Sequence, residues 1–205
     1  MNSIESKIVV IGPPDVGKTC LSIRYIRGKF FEHSSATIGA SFLMKTLTCG
    51  NVVNTMKIWD TAGQDAFLPM TSVYYKDVDG AILVFDASKP DTMDSLDNWL
   101  CDLQQNNVGR QFSLFLVCNK IDLNRGIDRE HVQQYADKIG APVFYTSAKD
   151  GTGVNDLFTE MSNSIIKRHN ETANFAVQNY GVSINDSIKV PLTENPPEDK
   201  KKCCC

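Results

Sequence analysis

Apolar residues in this chain come in short, nearly unbroken runs, separated by longer stretches in which they recur at helical spacing. Lys7-Ile8-Val9-Val10-Ile11 is the first run and stops at Gly12, after which Leu21, Tyr25 and Ile26 share one side of a helical period. Ser41 to Thr48 and Val52 to Trp59 flank Cys49-Gly50-Asn51. Glycine supplies the positive φ of a tight reversal there, so the two segments predict an antiparallel hairpin. Gly80 to Phe85, Ser113 to Cys118 and Ala141 to Tyr145 are further apolar runs, continuous as in strands covered on both faces. Asp91 to Gln105, Asp128 to Ile139 and Val154 to Lys167 are amphipathic and open with residues suited to helix starts. This alternation predicts an α/β fold: a mostly parallel six-stranded sheet with one antiparallel strand and helices on both faces, with ligands outside the carboxyl ends of the strands. Beyond about His169 the periodicity fades into Ser, Asn, Pro, Glu, Asp and Lys, which predicts a domain over 1–168 and a flexible tail over 169–205.

Composition narrows the classes. A chain of 205 residues fits one core plus a tail. With 42% hydrophobic and 22% charged residues it reads as globular, neither fibrous nor disordered throughout. A net charge of -3 provides no concentrated surplus of Lys and Arg, which argues against nucleic acid as a partner. No apolar run reaches the roughly 20 residues that span a bilayer, and the amino-terminal residues lack a signal-peptide core, so the body is expected in the cytosol. Cys20, Cys49, Cys101 and Cys118 are scattered and read as reduced, small apolar side chains. Cys203, Cys204 and Cys205 close the chain, and no C-x-x-C pair argues for zinc.

Gly12-Pro13-Pro14-Asp15-Val16-Gly17-Lys18-Thr19 fits G-x-x-x-x-G-K-[ST] between a predicted strand and a predicted helix, the context this motif requires. Its glycines let the backbone curl so that successive N–H groups face phosphate oxygens, and the helix that starts near Lys18 adds the positive end of its dipole. Lys18 is expected on the β- and γ-phosphates and Thr19 on Mg2+, with Pro14, Asp15, Val16, Gly17 and Cys20 completing the cradle. Asn119-Lys120-Ile121-Asp122 follows a predicted strand, and the Asp122 carboxylate suits guanine N1–H and its 2-amino group, which adenine does not offer. Ser147-Ala148-Lys149 ends the last predicted strand and can offer a backbone N–H to guanine O6. These two motifs argue against a metabolic P-loop kinase or ATPase.

With Thr37 and Trp59-Asp60-Thr61-Ala62-Gly63-Gln64 placed between them, these motifs in this order resemble the Ras superfamily of P-loop GTPases over roughly residues 6–168. Ile58 to Gln64, Tyr74-Tyr75-Lys76 and the cysteine-terminated tail look like the Rab branch. Ser35 to Phe42 is similar to the endosomal Rab subgroup. The resemblance implies a GTP/GDP switch in membrane traffic that hydrolyses GTP slowly. Thr19, Thr37 and Asp60 would hold Mg2+. Lys18, Thr37 and Gln64 would carry the chemistry, with Gln64 orienting the attacking water. Gly63 would contribute a second backbone N–H to the γ-phosphate, Phe30 would cover the guanine and ribose, and Phe31 and Glu32 would also belong to the nucleotide site. Ile38, Gly39, Phe42, Trp59 and Tyr74 would meet effectors. Implied partners are a GTPase-activating protein, an exchange factor, an escort or dissociation-inhibitor protein and effectors, with the GTPase itself monomeric.

Two departures stand out. Pro14 fixes φ and removes an N–H donor near the expected γ-phosphate, which leaves open a chain that holds nucleotide without cycling. After Gln64, Asp65-Ala66-Phe67 lacks the basic residue usual in Rabs. The tail reads Lys200-Lys201-Lys202-Cys203-Cys204-Cys205, with Lys202 fourth from its end, so the C-a-a-X pattern is not met. The resemblance instead implies geranylgeranylation among the three cysteines, which would place the protein on the cytoplasmic face of an endosomal membrane, in exchange with the cytosol.

Overall fold

The computed structural model describes residues 2–32, 36–63, 73–123 and 126–180, with side chains as far as residue 174. Six strands, β1 (Asn2–Ile11), β2 (Ala40–Cys49), β3 (Val52–Thr61), β4 (Gly80–Asp86), β5 (Ser113–Asn119) and β6 (Val143–Thr146), form one sheet in the order β2-β3-β1-β4-β5-β6. Every pairing is parallel except the β2–β3 hairpin, as the apolar pattern predicts. Register then decides where chemistry can gather. Val10 lies opposite Asp60, Asp86 opposite Asn119, and Asn119 opposite Thr146, so the carboxyl ends of β1 and β3 to β6 finish along one rim.

Helices cover both faces because successive residues of a strand point to opposite sides. Ile8, Val10, Ile82, Val84, Phe115 and Val117 pack with α1 (Lys18–Arg27) and α5 (Val154–Tyr180) through Leu21, Tyr25, Leu157, Phe158, Met161 and Ile165. Their neighbours Val9, Ile11, Leu83, Phe85, Leu116 and Cys118 pack on the other face with α3 (Leu96–Gln105) and α4 (Arg129–Ile139), through Leu96, Trp99, Leu103, Val132 and Ala136. Tyr25 and Phe158 stack with ring centroids 4.0 Å apart and planes within 9°, which clamps α1 to α5. Ends are capped in familiar ways: Asp128 accepts a bond from the His131 N–H at 3.0 Å at the start of α4, and Gly28 and Gly140 close α1 and α4 at positive φ.

Several element boundaries differ from the sequence reading: β1 starts at Asn2, five residues before Lys7, and β6 at Val143 rather than Ala141. The single helix expected over Asp91 to Gln105 is a short α2 (Asp91–Asp94) followed by α3. Ser95 sits between them and its hydroxyl donates to the Thr92 carbonyl at 3.0 Å, a local bond that competes with the helix ladder. Helix α5 runs past Lys167 to Tyr180. Neither Gly nor Pro interrupts residues 168–180, so the ladder continues after the apolar period ends. The chain divides into two units, Met1–His169 and Asn170–Cys205. Among the described residues no helix is long and apolar enough to cross a membrane.

Phe158 is fully buried and carries the ring stack. Phe158→Ala is expected to lower the unfolding free energy by about 3 to 5 kcal/mol, read from urea unfolding with an unchanged m-value.

Candidate functional site

A cleft of about 690 Å³ opens at the carboxyl rim of the sheet. Its floor is the turn from β1 into α1. Gly12 has φ 137°, and a Cβ there would run into the Val84 carbonyl oxygen. Gly17 has φ 90°, and a Cβ would come within 2.6 Å of the Asn119 amide nitrogen. Both glycines are therefore dictated by close approach to the neighbouring strands. Pro14, Asp15, Gly17, Lys18, Thr19 and Cys20 line the cleft, whereas Val16 is buried behind the loop in the core. The Lys18 ammonium is buried and donates to the carbonyls of Gly12 and Pro13, each at 2.7 Å. Burial pushes its pKa down to about 8 against the pull of the Asp60 and Asp15 carboxylates. Gly63 passes so close that a side chain there would collide with the Lys18 amine and come within 2.7 Å of the Pro13 carbonyl. The loop under the phosphate position and the segment after β3 thus meet at one ammonium.

Beside it, the Thr19 and Thr37 hydroxyls lie 2.7 Å apart. Asp60 is fully buried at the end of β3, and neither of its carboxylate oxygens has a hydrogen-bond partner. Burial raises its pKa to about 6, while the Thr19 hydroxyl and the Lys18 charge pull it down. An unpaired buried carboxylate is costly. Two hydroxyls next to such a group make an all-oxygen donor set suited to a hard divalent cation that takes its remaining ligands from phosphate and water. No cluster of three His, Cys, Asp or Glu side chains exists among the described residues, so a cation here depends on those hydroxyls.

At the other end of the cleft, Asn119 is fully buried and acts as a staple. Its amide donates to the Val16 carbonyl at 2.9 Å, and its Oδ1 accepts from the Thr146 hydroxyl at 3.0 Å and the Ala148 N–H at 3.3 Å. Three chain segments are fixed by one side chain. The Ala148 N–H is thus directed at Asn119. Asp122 stands on a 3-10 turn (Ile121–Leu123), where its Oδ1 accepts from the Ser147 hydroxyl at 2.7 Å. Lys120, at φ 66°, reaches across to the Asp15 carbonyl at 2.5 Å. Phe30, Phe31 and Glu32 line the cleft, with Phe30 also packed on the core and Phe31 47% exposed. Ala148 and Lys149 line it, and Ser147 is buried beneath them.

Two residues at this end were not anticipated. Arg24 on α1 donates from Nε to the Ala148 carbonyl at 2.7 Å, from one terminal nitrogen to Gly28 at 2.9 Å, and from the other to the Lys149 carbonyl. Asp86 pairs with Lys120 at 2.7 Å. Thr61, Leu123 and Ala36 also line the cleft. On the outer face Phe42, Trp59 and Tyr74 form a row, with centroids 5.0 Å apart at each step, and Ile38 is 82% exposed nearby in sequence. Gly39 accepts the Ala62 N–H at 2.8 Å. Gln64, with Asp65 to Phe67, and Cys203, Cys204 and Cys205 lie outside the described residues.

Comparison with known proteins decides what this cleft belongs to. The model of the Ras family matches residues 7–167. The chain belongs to the Ras family. It is similar to the Ras-related protein RabJ of Dictyostelium discoideum, 43% identical over 173 residues that span 82% of this chain and 67% of that protein. It is also similar to the putative Ras-related protein Rab-5B of the same organism, 37% identical over 80% of this chain and 76% of that protein. The mouse Ras-related protein Rab-21 is 38% identical over 78% and 73% respectively. This member of the family is a Rab-like small GTPase that binds GTP and GDP, hydrolyses GTP and serves vesicle traffic. A metabolic kinase is set aside by that membership.

If Asp122 supplies the acceptors for guanine, Asp122→Ala should reduce the preference for guanine over adenine by roughly 10²- to 10⁴-fold, measured as the ratio of mant-GDP to mant-ADP affinities. A ratio unchanged by the substitution would place base selection elsewhere.

Proposed function

We propose that this Rab-like GTPase is a Mg2+-dependent switch on endosomal membranes, with a nucleotide-binding domain over residues 1–168 and a lipid-modified tail over 169–205. The observation that carries the reading is the buried, unpartnered Asp60 carboxylate beside the Thr19 and Thr37 hydroxyls and the Lys18 ammonium. Thr19, Thr37 and Asp60 would hold the metal, which would supply charge neutralisation to the bound phosphates. Lys18 exchanges its bonds to Gly12 and Pro13 for phosphate oxygens, and the slack this leaves in the loop is small because both carbonyls belong to the same turn.

Thr37 and Gly63 report the γ-phosphate through backbone N–H groups, and loss of that phosphate releases both segments. Gln64 orients the attacking water, and a GTPase-activating protein supplies transition-state charge. Pro14 offers no N–H to the phosphates and narrows the approach for that partner. Effectors read Ile38, Gly39, Phe42, Trp59 and Tyr74, a surface on which half-exposed aromatic rings stand in contact. An exchange factor and an escort or dissociation inhibitor complete the cycle of a monomeric GTPase, and prenyl chains among Cys203, Cys204 and Cys205 give membrane residence. The endosomal assignment draws on the relatives named Rab-5B and Rab-21.

Single-turnover hydrolysis in millimolar magnesium is expected to slow by at least about tenfold in Gln64→Leu and to stop on chelation of the metal. Equal decay in native and variant protein would leave the chain a nucleotide holder without a cycle. A fluorescent fusion is expected on endosomes and dispersed once all three terminal cysteines are changed to serine. Intact mass from a eukaryotic host identifies the modified positions.

A further inference from the structure

Asp86 ends β4 and Asn119 ends β5, and the parallel register sets them side by side. The Ala87 N–H donates to the Asn119 carbonyl at 2.8 Å, which carries the pairing one residue beyond the strands. Lys120 then turns left-handed, and its ammonium lies 2.7 Å from Oδ2 of Asp86 and 2.5 Å from the Asp15 carbonyl of the phosphate loop. Asp86 itself is 1% exposed. Its other oxygen, Oδ1, accepts from the Ser88 N–H at 2.8 Å and the Ser88 hydroxyl at 2.7 Å. Although burial works against ionisation, the bonds from Lys120 and Ser88 hold the carboxyl below the ordinary Asp range.

These contacts form a directed chain. Ser88 fixes the carboxylate, the carboxylate fixes the ammonium, and the ammonium fixes the loop at Asp15, itself in a left-handed conformation at φ 62°. Lys120 lines the nucleotide cleft while Asp86 does not. A flexible four-carbon side chain bonded only to a neutral carbonyl gains by swinging into water, and a buried counter-charge prevents that.

We propose that Asp86 is a positioning residue for the bound guanine nucleotide: through Lys120 it locks the base-side loop against the phosphate loop and slows nucleotide release. The proposal rests on the reading of the phosphate loop and of Asn119 to Asp122 as the nucleotide site. Closure and base selection are then separable, because Asp122 takes no part in the chain from Ser88 to Asp15.

The test is a double-substitution cycle on the full-length protein, read as release of mant-GDP and mant-IDP in magnesium. Asp86→Asn keeps the side-chain shape but drops the charge and turns one of the two acceptors into a donor, and release of mant-GDP is expected to rise about ten- to a hundred-fold. Release of mant-IDP, whose base lacks the 2-amino group, should rise by the same factor. In a Lys120→Met background the same substitution should change release by less than about twofold, since its effect passes through the lysine. Unchanged release in Asp86→Asn, or an equal acceleration with and without the Lys120 amine, overturns the proposal. Should Asp86→Asn not fold, Ser88→Ala takes its place, with a smaller acceleration that must also vanish in the Lys120→Met background. Native protein that binds mant-ADP as well as mant-GDP would instead sink the guanine-site reading itself, before any variant is compared.

Discussion

Two opposite charges buried within one cleft constrain everything around them. Lys18 is shifted down to about 8 and Asp60 up to about 6, so burial drives each toward neutrality and toward the other. Desolvation of this kind is tolerated only where ligands complete the electrostatics. The phosphates of a bound guanine nucleotide supply charge that the protein itself withholds, so nucleotide binding and fold stability rise together by mass action. The two core clusters behind the cleft provide the rigid backing that such a strained arrangement needs.

The parallel register turns five strand ends into one site. Asp60 and Thr61, Asp86, Asn119 and Thr146 come from strands far apart in the chain, and each lies at the rim because the β-strands run the same way and finish together. Asn119 converts that alignment into a closed structure by bonding Val16, Thr146 and Ala148 at once. Arg24 then secures the last of these loops from α1, the helix that opens at Lys18. The loop after β1 and the loops after β5 and β6 are in this way tied together at the rim.

What was legible in the sequence is whatever the local chain must do alone. The turn over Gly12 to Thr19 could be read because its glycines, lysine and hydroxyl all fall within one short stretch between a strand and a helix. The strands could be read because burial on both faces leaves an unbroken apolar run. Arg24 and Asp86 could not, since an arginine on a helix and an aspartate after a strand acquire their meaning only when folding brings carbonyls and an ammonium to them. The break at Ser95 and the length of α5 were hidden for a related reason: one depends on a hydroxyl choosing a local carbonyl, the other on the mere lack of a helix breaker.

Strand β3 has a further consequence. Trp59 and Asp60 are consecutive, and the pleat sends one outward into the aromatic row with Phe42 and Tyr74 and the other inward toward the Thr19 hydroxyl. The buried carboxylate and the outer ring are therefore carried by adjacent residues that share a single peptide plane.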